Sequence, residues 1–210
     1  WQAAVAQPFD RSAVMPALGP LHDDLKQFWL PNPSLFPQGR HNLSAYERNR
    51  VYLNTPHGRF RDISYLTGAD SDGDARAAVA GDFNEDGRMD LIVRQVGGGP
   101  VLFFENNFPE RHWLTVSLHG RRSNSHGVGA RLELEAAGQR QVRDLYPANS
   151  FKSRSACAVH FGLGDATRAG RLTVRWPSGL VQEFTDLAAD QHVVLTEGDA
   201  TIGTLARTNR

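Results

Sequence analysis

Asp82, Asn84, Asp86 and Asp90 place oxygen-bearing side chains along Gly81-Asp82-Phe83-Asn84-Glu85-Asp86-Gly87-Arg88-Met89-Asp90-Leu91-Ile92-Val93. Alternate side chains in a curled loop converge on one point. Hard oxygen donors converging on a point suit Ca2+, which takes six to eight oxygens at roughly 2.3–2.6 Å. The backbone carbonyl of Arg88 would supply a further ligand, and Gly87 would permit the left-handed turn that such a loop needs. The opposing interpretation is an acidic hairpin turn, because Asp, Asn and Gly are ordinary turn formers.

The spacing starts like an EF-hand loop, but its twelfth position is Val93 rather than a bidentate Glu. The flanks are not helical either. Ala77–Ala80 and Leu91–Val93 read as short apolar strands, so the expectation is a calcium loop joining two strands. Asp70, Asp72 and Asp74 in the next acidic loop upstream could hold a second cation, with a solvated acidic turn as the alternative.

Other chemistry is sparse. No HExxH helix, Gly-x-Ser-x-Gly elbow or paired zinc-ligand motif occurs, and nothing in the spacing sets a nucleophile beside a base. His160 next to Phe161 reads as a hydrogen-bonded structural residue, and Trp113 and Trp176 as core. Gly97-Gly98-Gly99 lacks the lysine of a phosphate loop. Cys157 stands alone, so no internal disulfide forms; Ala156-Cys157-Ala158-Val159 reads as a buried strand.

The elements that must position the loop follow from periodicity. The chain has 210 residues, 40% hydrophobic and 22% charged, enough for one large or two small domains. Lys+Arg and Asp+Glu are 23 each, so bulk electrostatics gives no argument for nucleic acid or an anionic membrane as a partner, and no nucleic-acid partner is expected. No apolar run is long enough to span a membrane. Residues 1–48 form an irregular, proline-broken arm containing Trp1, Phe9, Phe28, Trp29 and Phe36, with Asp23–Leu30 as a candidate short helix. Arg50–Asn54 and Arg59–Ser64 read as a hairpin around Pro56-His57-Gly58. From His112 the chain is strand after strand: Trp113–Leu118, Ala130–Glu135, Arg140–Tyr146, Ala158–Phe161, Arg171–Trp176, Val181–Phe184 and His192–Thr196. The fold class expected is all-β, with an antiparallel sandwich or barrel over 109–198 and a polar tail over 199–210.

Two stretches resemble known families. Residues about 49–106 resemble FG-GAP repeats, the blades of integrin-type β-propellers, through Asn49–Asn54, Gly58–Ile63 and Val79–Val93. The resemblance implies that Asp82, Asn84, Asp86, the Arg88 carbonyl and Asp90 bind calcium between blade strands, within a blade segment over 49–108. Residues about 111–197 resemble the ASPIC/UnbV domain, named in part from cartilage acidic protein. The match is carried by His112-Trp113-Leu114, Ser123–Arg131, His160–Gly164, Val174–Gly179 and Asp190-Gln191. Around Asn149-Ser150-Phe151 the sequence departs from that family's more glycine-rich turn followed by Leu-Ser-Gln.

The resemblance implies extracellular or periplasmic recognition. One blade alone would leave sheet faces and edges unburied. The chain starts at Trp1 and is expected to be a processed product or a piece of a longer chain, docking on other protein chains or on the rest of a propeller. The expected role is a non-catalytic, calcium-stabilised interaction module. The alternatives are an accessory or carbohydrate-binding domain of a secreted polysaccharide-processing enzyme, and a glycan partner held by the aromatics of the first fifty residues.

Overall fold

Alternation along the strands decides which side chains go inside. In the computed structural model Leu114, Val116 and Leu118 are buried, whereas Thr115 and Ser117 between them keep partial exposure. That is the period of two expected where one face of a sheet meets a core. The structure describes residues 7–8, 41–42, 48–55, 58–73, 75–95, 100–150 and 153–206. The expected helix at 23–30, the aromatic rings of the arm, Asp74 and the glycine turn at 97–99 lie outside the described residues.

Strands β1 (Gln7–Pro8) and β2 (His41–Asn42) make a two-residue antiparallel ladder. Strands β3 (Tyr52–Thr55) and β4 (Arg59–Asp62) form the expected hairpin and lead into the single-turn helix α1 (Ser64–Thr67). Strands β5 (Ala75–Gly81), β6 (Asp90–Gln95) and β7 (Val101–Phe104) lie side by side in that order. The calcium-loop candidate connects β5 to β6, as its apolar flanks indicate. The described residues divide into two compact units, one of residues up to 76 with 93–102, the other of 77–92 with 103 onward.

In the first unit Ser64 is the tie. Its hydroxyl accepts the Val51 amide at 2.7 Å, and the Asp62 carboxylate accepts the Ser64 amide at 2.9 Å. Buried Gln95 donates to the Ser71 hydroxyl at 3.0 Å, and Arg48 donates to the Asp70 carboxylate at 2.7 Å. Large apolar side chains of the hairpin and helix stay open: Tyr52, Phe60, Tyr65 and Leu66 are each more than half exposed.

The second unit holds the sandwich. Its strands are β8 (His112–His119), β9 (Arg131–Ala136), β10 (Gln139–Asp144), β11 (Ala148–Ser150) and β12 (Ser153–Arg154). They continue with β13 (Ala158–Gly164), β14 (Arg168–Arg175), β15 (Val181–Ala188), β16 (Gln191–Thr196) and β17 (Ile202–Leu205). One four-stranded sheet has the order β10-β9-β14-β15 and the other β13-β8-β16-β17. Between them pack Leu114, Leu132, Phe161, Leu172, Phe184 and Val193 among others. Ala137 and Gly138, both at positive φ, close the two-residue β9–β10 turn, which suits the twist of a hairpin.

Three features differ from the sequence-based expectation. Strand β16 runs parallel to β8, so the sandwich is not wholly antiparallel. Part of the expected tail is strand β17, which takes the free edge of β16. Cys157 is half-buried just before β13 rather than inside a buried strand.

Ion pairs line the outer face of the first sheet. Arg131 meets Asp144 at 2.7 Å with both side chains about half exposed. Water screens such a pair, and ordering two long side chains offsets much of the attraction. Arg131→Gln is therefore expected to leave the unfolding temperature unchanged within error. A clear drop in a circular-dichroism melt would show that the pair carries structural weight.

Candidate metal centre

The loop between β5 and β6 is closed by its own side chains. The Asp82 carboxylate faces across it and accepts the amides of Asp86 (2.9 Å) and Gly87 (2.8 Å). The Asn84 carbonyl accepts the same Asp86 amide at 3.2 Å, and the Asn84 amide group donates to Asp86 at 2.9 Å and to Glu105 at 3.3 Å. Asp86 accepts the Arg88 amide at 2.8 Å and pairs with the Arg88 guanidinium. Burial pushes the Asp86 carboxyl up, but the Arg88 amide, the Asn84 side chain and the Arg88 charge outweigh it and hold the group below its ordinary value.

Asp90 is fully buried, and its two oxygens accept the amides of Phe83 (3.1 Å) and Asn106 (2.8 Å). The Asn106 side chain donates to the Met89 carbonyl at 3.2 Å. Asp90 thereby ties the start of the loop to the segment that follows β7. Gly87 has φ 89°, and a Cβ built there would lie 1.9 Å from the Trp113 indole nitrogen. The glycine is thus required twice, by its backbone and by the ring beneath it.

Of the sequence-derived ligands, Asp82, Asn84 and Asp86 come together in one hydrogen-bonded loop. No group of three or more His, Cys, Asp or Glu among the described residues is arranged to hold a metal. The donor types of the sequence-derived set, the carboxylates of Asp82, Asp86 and Asp90, the Asn84 amide oxygen and the Arg88 carbonyl, are those that a hard cation takes. Each Asp82 oxygen accepts one amide and keeps a second lone pair, whereas one Asp86 oxygen accepts both the Asn84 amide group and the Arg88 guanidinium. Asp86 already shares its charge with Arg88, and Asp90 with two amides. Of the second acidic loop, Asp70 is engaged by Arg48.

The histidines have partners that the sequence did not show. His112 Nδ1 lies 2.7 Å from Asp190, which also accepts the Trp113 amide at 3.3 Å. His160 Nδ1 lies 3.0 Å from the Thr115 hydroxyl and its ring stacks on Trp113. His192 Nε2 lies 2.8 Å from the Ser117 hydroxyl, a nucleophile-type group beside a base. Trp176 is in the sandwich core; Trp113 is buried instead under the loop.

Glu197 anchors a loop that is 74 to 76 residues away in sequence. It is buried, and it accepts the amides of Arg121 (2.8 Å), Arg122 (2.7 Å) and Ser123 (2.7 Å) together with the hydroxyls of Ser123 (2.9 Å) and Ser178. Burial pushes its pKa up, but the Ser123 amide, the Ser178 hydroxyl and the other two amides outweigh that and hold it at about 2. A Glu-Gly pair after a strand looks like an ordinary turn, and nothing in its spacing links it to the loop at 121–123.

These two parts of the chain match known families. Residues 120–202 match the family model described as ASPIC and UnbV, and residues 42–93 match the FG-GAP-like repeat. The chain carries an ASPIC/UnbV domain preceded by an FG-GAP-like repeat. Domains of these kinds are associated with extracellular protein interaction. No curated protein matches the chain. The ASPIC/UnbV match begins after β8, yet β8 lies between β13 and β16, so the physical domain needs residues from 112 onward.

Proposed function

We propose that the chain is a non-catalytic, calcium-stabilised extracellular or periplasmic interaction module that docks on other protein chains. The exposed apolar side chains of the β3–β4 hairpin and α1 carry this reading, with Tyr65 86% and Leu66 82% exposed in the helix and Phe60 and Tyr52 in the hairpin. Contiguous exposed apolar surface marks sites of association. Calcium bound by Asp82, Asn84, Asp86, the Arg88 carbonyl and Asp90 would stiffen the β5–β6 loop and contribute no chemistry.

The hydroxyl–imidazole pairs support binding over acyl transfer. Thr115 and Ser117 lie within β8, whose main chain is engaged by strands on both sides. Backbone amides committed to a sheet ladder cannot form an oxyanion hole.

Asp82→Ala and Asp86→Ala are each expected to weaken calcium binding by at least about tenfold, roughly 1.4 kcal/mol, and to shrink the calcium-dependent rise in unfolding temperature. Calorimetric titration of both variants decides it; unchanged calcium binding in both rejects the site. Light scattering tests docking: a mass above one chain that returns to one chain in Tyr65→Ser/Leu66→Ser supports self-association through this face. A monomeric mass directs the search to a different protein partner.

A further inference from the structure

A cleft of ≈ 700 Å3 lies between the β5–β6 loop and the outer face of the β13-β8-β16-β17 sheet. Small-molecule sites fall in the range of about 300–1,000 Å3. The floor is a cross-strand row. His160 on β13 pairs with Thr115 on β8, Thr115 pairs on its other side with His192 on β16, and His192 with Leu205 on β17. Strands about 4.8 Å apart put the two histidine backbones roughly 10 Å apart. Known bonds use Nδ1 of His160 and Nε2 of His192, so the second nitrogen of each ring has capacity for a ligand.

Burial lowers the pKa of both histidines; at His160 the Asp82 charge opposes this and Arg143 adds to it. Each neutral ring offers a donor on one nitrogen and an acceptor on the other. The walls carry both signs of charge, Asp82 and Glu85 from the loop and Asp144, which is paired with Arg131, against Arg143 from β10. Tyr146, 71% exposed, stands at the lining with a free aromatic surface.

We propose that this cleft binds a neutral carbohydrate chain. A phosphate- or sulfate-bearing ligand would need an excess of cations that the walls do not have, and a purely apolar ligand would strand the imidazoles and carboxylates. A neutral sugar matches both features. Its hydroxyls exchange hydrogen bonds with His160, His192 and the carboxylates, and its C–H face packs on Tyr146 and the apolar part of the lining. The assignment adds a ligand site on the sandwich to the exposed hairpin side chains of the proposed function.

Calorimetric titration of the whole chain with cellohexaose, xylohexaose, laminarihexaose and maltohexaose tests it. At least one should bind, and Tyr146→Ala and His192→Ala should each weaken that binding by about tenfold with unfolding temperatures unchanged. No binding by any of the four sugars overturns the proposal, as does unaltered affinity in Tyr146→Ala. Should His192→Ala fail to fold, the exposed Tyr146 variant decides alone. Neither substitution alters a proposed calcium ligand, and titrations run both with calcium and with chelator separate the sugar site from the metal site.

Discussion

Gly87→Ala should unfold at markedly lower denaturant than the parent chain and should bind calcium more weakly. Two costs combine. The left-handed backbone costs an L-residue about 1–2 kcal/mol. The new methyl would also meet Trp113, with 1.9 Å between Cβ and the indole nitrogen; overpacking of this kind typically adds about 1–3 kcal/mol. Two other glycines separate the terms. Gly179 has φ 90° and open space around its Cβ position, so Gly179→Ala reports the backbone cost alone. Gly162 has open space and no positive φ, so Gly162→Ala should be near neutral. Equal denaturation midpoints for the Gly87 and Gly179 variants would show that the loop does not rest on Trp113.

Glu197→Gln should loosen the 121–123 loop and lower the unfolding temperature. The substitution keeps the shape but presents an amide N–H2 where backbone donors already converge. Hydrogen exchange at the Arg121, Arg122 and Ser123 amides should accelerate, since each donates to this carboxylate. The acid response should change as well. The folded pKa of about 2 lies below the ordinary 4.5. The carboxylate's contribution is therefore complete above pH 4.5 and is lost as pH falls toward 2. The glutamine variant should lack that portion of the acid-induced loss. Unchanged exchange at all three amides would mean that Glu197 is not the anchor.

The strands were legible because their burial is local information. Arg131-Leu132-Glu133-Leu134-Glu135 alternates by charge and bulk, and Leu132 and Leu134 are the fully buried pair. The β5–β6 loop was legible because Asp, Asn and Gly at that spacing have few uses besides turning and binding. Partners were not legible where they come from distant sequence. The parallel pairing of β8 with β16 leaves no mark on either strand, since period two is the same in both pairings. The same distance hid the Ser117–His192 and His112–Asp190 contacts. Trp113 read as core because any large aromatic does; only the fold shows that Gly87 covers it.

Thermal unfolding of the whole chain with excess calcium and with chelator tests the calcium-stabilised loop most directly. A ligand that binds only the native state stabilises it by about 2.7 kcal/mol at a hundredfold excess over its dissociation constant. A clear rise in unfolding temperature with calcium is expected, reduced in Asp82→Ala and Asp86→Ala. Identical melts in calcium and chelator would contradict it and leave Asp82–Asp90 an acidic turn held by its own amides and Arg88.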